Sequence, residues 1–155
     1  MYVFSYQRVI LILNININKA CDNGATALYI ASFCGHLEVV RLLLSKSEID
    51  INKTKDNGAT ALYIASQKGH LEVVRLLLSK SEIDINKGMS GTTPLNIAAY
   101  RGHIDVVRLL LQQPNIDITI ADEDGTPKQS AQKRGHTEIV KLLKEARIFS
   151  FVLHI

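Results

Sequence analysis

The chain has no tryptophan and only two cysteines, Cys21 and Cys34. The stapled frameworks of small secreted domains need regular cysteine pairs, so they are excluded. Two unpaired thiols suit a reducing compartment, and the expected location is cytoplasmic or nuclear. Blocks of like charge are missing as well. The 18 Lys and Arg stand against 15 Asp and Glu, a net +3 scattered along the chain. That scatter leaves no footprint for a polyanion, so no nucleic acid partner is expected.

A long apolar span is also absent. The opening "MYVFSYQRVILILN" is interrupted by Gln7-Arg8 and falls short of the roughly 20 residues that cross a bilayer. It lacks the basic start and small-residue cleavage site of a signal peptide, and no membrane partner is expected. Asn52-Lys53-Thr54 fits the glycosylation pattern, which matters only in a secreted protein.

What the chain does have is repetition. Residues 24–53 and 58–87 are the same text, apart from Phe33-Cys34 in the first and Gln67-Lys68 in the second. Gly-His pairs place His36, His70, His103 and His136 at intervals of 34, 33 and 33. Such periods mark stacked repeat units. In each unit a short segment opening at Thr26, Thr60, Thr93 or Thr126 precedes Gly-His, and a second opens at Leu37, Leu71, Ile104 or Thr137.

Both segments read as helices. The threonines can cap a first helix, and Pro94 and Pro127 follow where a missing N–H is harmless. Gly35, Gly69, Gly102 and Gly135 can take the left-handed conformation that ends it. Glu38, Glu72, Asp105 and Glu138 then place negative charge at the start of the next. Ser45, Ser79 or Pro114 closes the second helix, and "IDIN" continues as a short extended arm. Asn23-Gly24 and Asn57-Gly58 supply the turn of a finger. Along the second helix Glu38, Arg41 and Ser45 form one narrow polar stripe, so the helix must be flanked on several sides. Stacking of unit on unit provides this.

No catalytic constellation emerges. Cys34-Gly35-His36 puts a thiol near an imidazole, but Gly-His recurs without the cysteine, which reads as a structural turn. Ligands sharing one zinc lie about 2 Å from it, whereas stacked helices are about 8–10 Å apart, so the histidines would not converge on a metal. No cofactor and no metal are expected, and the chain is read as non-enzymatic. Arg41, Arg75, Arg108 and Lys141 recur at one position, each with an acidic residue three places earlier, and are expected to form a solvated, locally neutralised outer face.

"GTTPLNIAAYRGHIDVVRLLL" (residues 91–111) and its counterparts resemble the ankyrin repeat, with its period near 33 and its Thr-Pro-Leu-His-x-Ala pattern, over roughly residues 14–147. Ala27 and Ala61 stand where the family has proline; Tyr29, Tyr63, Asn96 and Gln129 stand where it has histidine. The resemblance implies a mostly α fold: an ankyrin-repeat solenoid of four stacked helix-turn-helix units with short hairpin fingers, plus an N-terminal half-repeat cap. The expected boundaries are 1–17 for the cap, 18–148 for the repeats (about 18–51, 52–85, 86–118 and 119–148) and 149–155 for an apolar tail. In the fourth unit the finger lacks the residue between Gly125 and Thr126. There Lys128, Ser130 and Lys144 replace apolar residues, and all three are expected to wet the flank that would face a fifth unit.

Similarity to ankyrin proteins implies a non-catalytic module that binds another protein through a concave groove of first helices and fingers. Phe33, Cys34, Gln67, Lys68, Tyr100, Arg101, Lys133 and Arg134 vary while the helices around them hardly change. With Asp22, Asn23, Asp56, Asn57, Met89, Ser90 and Thr92 at the fingertips, they are the expected partner-binding residues. Phe33 would anchor an apolar group, and the cations would favour acidic ones, in a monomeric chain. An alternative is a targeting or substrate-recruiting fragment of a larger enzyme or effector. Asn52 and Asn86, ending "LSKSEIDIN", also resemble sites that asparaginyl hydroxylases modify on ankyrin proteins.

Overall fold

The computed structural model of the chain describes residues 16–152, with side chains as far as 146. Nearly all of the expected half-repeat cap, residues 1–15, lies outside the described residues, as do the last three residues of the tail. Eight helices are present among the described residues: α1 (Ala27–Cys34), α2 (Leu37–Leu44), α3 (Ala61–Lys68), α4 (Leu71–Leu78), α5 (Pro94–Arg101), α6 (Ile104–Leu111), α7 (Pro127–Lys133) and α8 (Thr137–Val152). The final helix runs on through the first part of the apolar tail.

Local chemistry sets these limits. The hydroxyls of Thr26, Thr60, Thr93 and Thr126 accept the backbone N–H of Tyr29, Tyr63, Asn96 and Gln129 at 3.2, 3.1, 3.1 and 3.4 Å. Each such cap is worth about 1 kcal/mol. Gln129 returns the bond to the Thr126 N–H at 2.8 Å, closing a capping box. Gly35, Gly69 and Gly102 end the first helices at φ +72°, +75° and +81°, a region costly for side chains with a Cβ.

The first helices α1, α3, α5 and α7 pack side by side in one row, and α2, α4, α6 and α8 form a second row behind them. One apolar core runs between the rows from Leu28 to Leu143. Position in the stack decides burial. Ile30 in α1 is 46% exposed, while Ile64, the same residue in the same local sequence of α3, is 4% exposed because α1 covers it.

That comparison corrects one expectation about the fourth unit. Ser130 occupies the Ile30/Ile64/Ile97 position, which faces the preceding unit, so it is buried against the third unit and does not wet the outer flank. Lys144 is exposed and Lys128 half-buried. The Ser130 hydroxyl is buried without a hydrogen-bond partner, as are those of Ser32 and Ser66.

A second correction concerns the outer face. Arg41 pairs with Glu38 and Arg75 with Glu72 at 3.6 and 3.5 Å, as the spacing implies. Arg108 does not turn to Asp105, whose side chain is one methylene shorter than glutamate. It reaches Glu138 of the next unit and ties α6 to α8.

Candidate functional site

Side-by-side packing of the first helices sets their carboxyl ends in a row: Phe33-Cys34, Gln67-Lys68, Tyr100-Arg101 and Lys133-Arg134. The backbone of this row is pinned across units. His70, His103 and His136 set Nε2 at 3.0, 3.0 and 3.1 Å from the carbonyl oxygens of Phe33, Gln67 and Tyr100. Each imidazole lies over the glycine of the preceding unit. A Cβ at Gly35 would fall 2.8 Å from His70 Nδ1, and one at Gly69 would fall 2.6 Å from His103 Nδ1. Gly-His is therefore more than the turn read from sequence. It joins neighbouring units at the residues whose side chains vary, so side chains change on a fixed backbone.

Those side chains are also coupled. Lys68 Nζ lies 4.4 Å from the Phe33 ring centre, and the Arg134 guanidinium lies 4.5 Å from that of Tyr100, which Arg101 approaches at 5.8 Å. A cation over an aromatic face is worth about 0.5–1 kcal/mol at exposed sites. Phe33 is exposed, Tyr100 half-buried, and Cys34 an exposed free thiol. Lys133 differs from the other cations: its ammonium contacts Asp124 of its own finger at 3.1 Å, so much of its charge is already met. Lys68, Arg101 and Arg134 form no salt bridge among the described residues.

Asp22, Asn23, Asp56, Asn57 and Ser90 are exposed at the fingertips. Asn23 and Asn57 use their side-chain oxygens within their own turns, accepting the N–H of Ala25 and Ala59 at 3.1 Å each. The Asp56 N–H donates to the Asn23 carbonyl at 3.3 Å, linking the first two fingers. The third finger turns tightly through Ser90 (φ 51°) and Gly91, with the Thr92 N–H donating to Met89 at 2.9 Å. The shortened fourth finger still closes, by reciprocal bonds between Asp122 and Gly125 of 3.1 and 3.0 Å.

Fingers and first helices share an apolar floor that the sequence reading missed. Ala59, Tyr63 and Ile97 are buried there, with Tyr29, Met89 and Tyr100 packed around them. Its one signal in the sequence was Tyr29 and Tyr63 at a shared repeat position. Burial pushes the Tyr63 phenol above its ordinary value of 10.0; Arg101 opposes the rise, and Asp122 and Tyr29 add to it. Met89, expected at a fingertip, is part of this floor, and Thr92 is half-buried beside it.

Asn52 and Asn86 lie in the loops after the second helices, where they form a ladder with Asn18. Each spans to the next unit's loop with both ends of its amide. Asn52 donates to the Glu82 carbonyl at 2.7 Å and accepts the Asp84 N–H at 2.8 Å. Asn86 meets Asn115 and Asp117 at 2.9 and 3.0 Å, and Asn18 meets Glu48 and Asp50 at 2.6 and 2.8 Å. The Asn52 amide nitrogen that glycosylation would use is thus engaged within the fold.

Among the described residues no three His, Cys, Asp or Glu side chains are grouped so as to hold a metal ion. None of the described helices is long and apolar enough to cross a membrane. No curated protein matches the chain significantly. A family model for ankyrin repeats, units that generally serve protein–protein interaction, matches three overlapping stretches, residues 4–89, 48–122 and 81–151. Together they span the stack of helix pairs, the pinned Gly-His turns and the fingers described above, and the chain belongs to the ankyrin repeat family.

Proposed function

We infer that this chain is a non-catalytic binding module that grips a partner protein in the groove between the fingers and the ends of the first helices. The observation that carries this reading is the contrast between a pinned backbone and side chains that vary. The carbonyls of Phe33, Gln67 and Tyr100 are held by histidines of the next unit, while the side chains at those positions differ from unit to unit. A surface built that way varies in chemistry without moving, and little ordering entropy opposes association. Phe33, Tyr100 and Tyr29 offer aromatic area, which is favoured at binding hot spots, with Tyr63 buried beneath them as support. Lys68, Arg101 and Arg134 offer unspent positive charge.

The test is capture of partners from lysate by the intact chain, identified by mass spectrometry and repeated with the double variant Lys68→Glu, Arg101→Glu and with Phe33→Ala. The partner that binds the wild-type chain should be lost or strongly reduced with both variants, while their thermal unfolding stays close to wild type. Capture unchanged by either variant would refute the groove as the binding surface.

A further inference from the structure

The first two fingers and the helices they lead into share the text Asp-Asn-Gly-Ala-Thr-Ala-Leu-Tyr-Ile, at residues 22–30 and 56–64. Each copy sets an Asn-Gly pair at its tip, with Asn23 and Asn57 exposed. Such a pair is chemically weak, because glycine carries no Cβ to keep its nitrogen away from the asparagine Cγ. Within each finger the two pairs are built alike. The Gly24 N–H donates to the Cys21 carbonyl at 2.9 Å, and the Gly58 N–H donates to the Lys55 carbonyl at 2.8 Å. The Asn23 and Asn57 side-chain oxygens each accept an alanine N–H at 3.1 Å. Shared sequence and shared local geometry give the two asparagines the same intrinsic reactivity, so a difference between them comes from their neighbours.

Those neighbours are not alike. The second finger lies on the tip of the first: the Asp56 N–H donates to the Asn23 carbonyl at 3.3 Å. A Cβ at Gly24 would fall 2.6 Å from the Asp56 nitrogen and closer still to its carboxylate. That carboxylate also disfavours a second negative charge on the Gly24 nitrogen, the atom that would attack Asn23. The third finger does not repeat this arrangement on the second. Met89 stands at the repeat position of Asp56 and packs into the tyrosine floor. The Asn57 carbonyl accepts no backbone N–H among the described residues. Around a Cβ at Gly58 the nearest atoms would be backbone atoms of residues 88–90, the closest being the Gly88 oxygen at 3.5 Å.

We propose that Asn57 is a site of spontaneous deamidation, and that Asn23, in the same text, is shielded by the second finger. Hydroxide takes the proton of the Gly58 N–H, and the nitrogen attacks Asn57 Cγ. A cyclic imide closes as the Cγ–Nδ2 bond breaks and Nδ2 leaves as ammonia, taking its proton from water. Water then opens either carbonyl of the ring, giving aspartate or isoaspartate. Because the Gly58 N–H is held by Lys55, the reaction waits on local opening of the finger, and its rate follows how often that finger opens. Opening the first finger also breaks the bond from Asp56. On the reading that the fingers line a binding groove, the product sets a second carboxylate beside Asp56 in the groove wall, and isoaspartate lengthens the finger backbone by a methylene. The reaction itself does not depend on that reading.

The test is incubation of the full chain at mildly alkaline pH, folded in buffer and unfolded in guanidinium chloride, followed by trypsin and mass spectrometry. Cleavage after Lys19, Arg41, Lys55 and Lys68 puts the two sites in different peptides, residues 20–41 and 56–68. Conversion is read from the mass gain of amide to acid, and isoaspartate from methyl transfer by an isoaspartyl methyltransferase. In guanidinium chloride the two sites should convert at equal rates. In the folded chain Asn57 should convert at least threefold faster than Asn23. Equal rates in the folded chain, faster conversion at Asn23, or no conversion at Asn57 while the unfolded chain converts would each overturn the proposal. A ratio that persists in guanidinium chloride would assign the difference to sequence and overturn it as well. Mass is the readout, so failure here leaves the groove reading standing; that reading is decided by whether captured protein responds to Phe33→Ala.

Discussion

Val39 and Val73 occupy the same position in two units of nearly identical sequence, yet Val39 is 46% exposed and Val73 2%. The difference is wholly one of neighbours, because α2 precedes α4 in the stack and covers it. Burial in this chain is therefore assigned unit by unit, and identical substitutions in the two units should have different costs. Ile64→Ala should destabilise by about 2–5 kcal/mol, as for a buried aliphatic residue, and Ile30→Ala by less than half as much. Urea unfolding of the two variants checks this. Equal costs would mean that the first unit's outer face is covered after all.

The amide ladder should be a strong support of the loops. Asn52→Asp keeps the acceptor for the Asp84 N–H but replaces the donor to Glu82 with an oxygen, setting a charged carboxylate against a carbonyl. A loss of about 1–3 kcal/mol is expected, with a similar loss for Asn86→Asp. Differential scanning fluorimetry would detect it. If Asn52 is instead a modification site, intact mass after incubation with an asparaginyl hydroxylase should rise by one oxygen.

Ser32 and Ser66 are buried with unsatisfied hydroxyls, while the third unit places Ala99 at the corresponding position. Replacing either serine with alanine removes a buried polar atom that has no partner, and should raise stability by about 1 kcal/mol. A higher denaturation midpoint at unchanged denaturant slope would confirm it. A lower midpoint would point to a water held at these hydroxyls.

Tyr63 makes the stack sensitive to alkali. Burial raises its phenol above the ordinary value of 10.0, so the folded chain holds that proton to higher pH than the unfolded chain does. The associated stability is complete below the ordinary value and is lost as pH rises from there through the folded value. Tyr63→Phe should flatten the decline of the unfolding midpoint above pH 10, the ordinary value of the group it removes. An unchanged alkaline slope would contradict the assignment.

The repeat text made much of the fold legible, because each local signal acts within a few residues. Thr26, Thr60, Thr93 and Thr126 cap as expected, and the glycines before the histidines take positive φ. Contacts between units were harder to read. The histidines were assigned to their own turns, but their rings reach a carbonyl some 36 or 37 residues earlier. Arg108 was assigned to Asp105 by spacing, but Glu138 of the next unit offers a longer reach. Ser130 was placed on the outer flank because the side of a helix facing forward or back along the stack is not written in a single unit. Among the candidate site residues, variation between units pointed to the helix-end row. It did not reveal that Lys68 rests on Phe33, that Asp124 occupies Lys133, or that Met89 joins a buried tyrosine floor.

The expected half-repeat cap has a direct test of its own. Deleting residues 1–13 should lower the unfolding temperature and the solubility of the chain, since Ile30 and Val39 are the apolar residues such a cap would cover. Unchanged solubility and unfolding would remove the cap from the account.

Hydrogen exchange, followed by mass spectrometry with and without a captured partner, tests the binding surface most directly. Slower exchange on complex formation is expected at the fingers around Asp22 and Asp56 and at the ends of α1, α3 and α5, with little change along α2, α4 and α6. Protection confined to the outer face that carries Arg41, Arg75 and Arg108 would contradict the account.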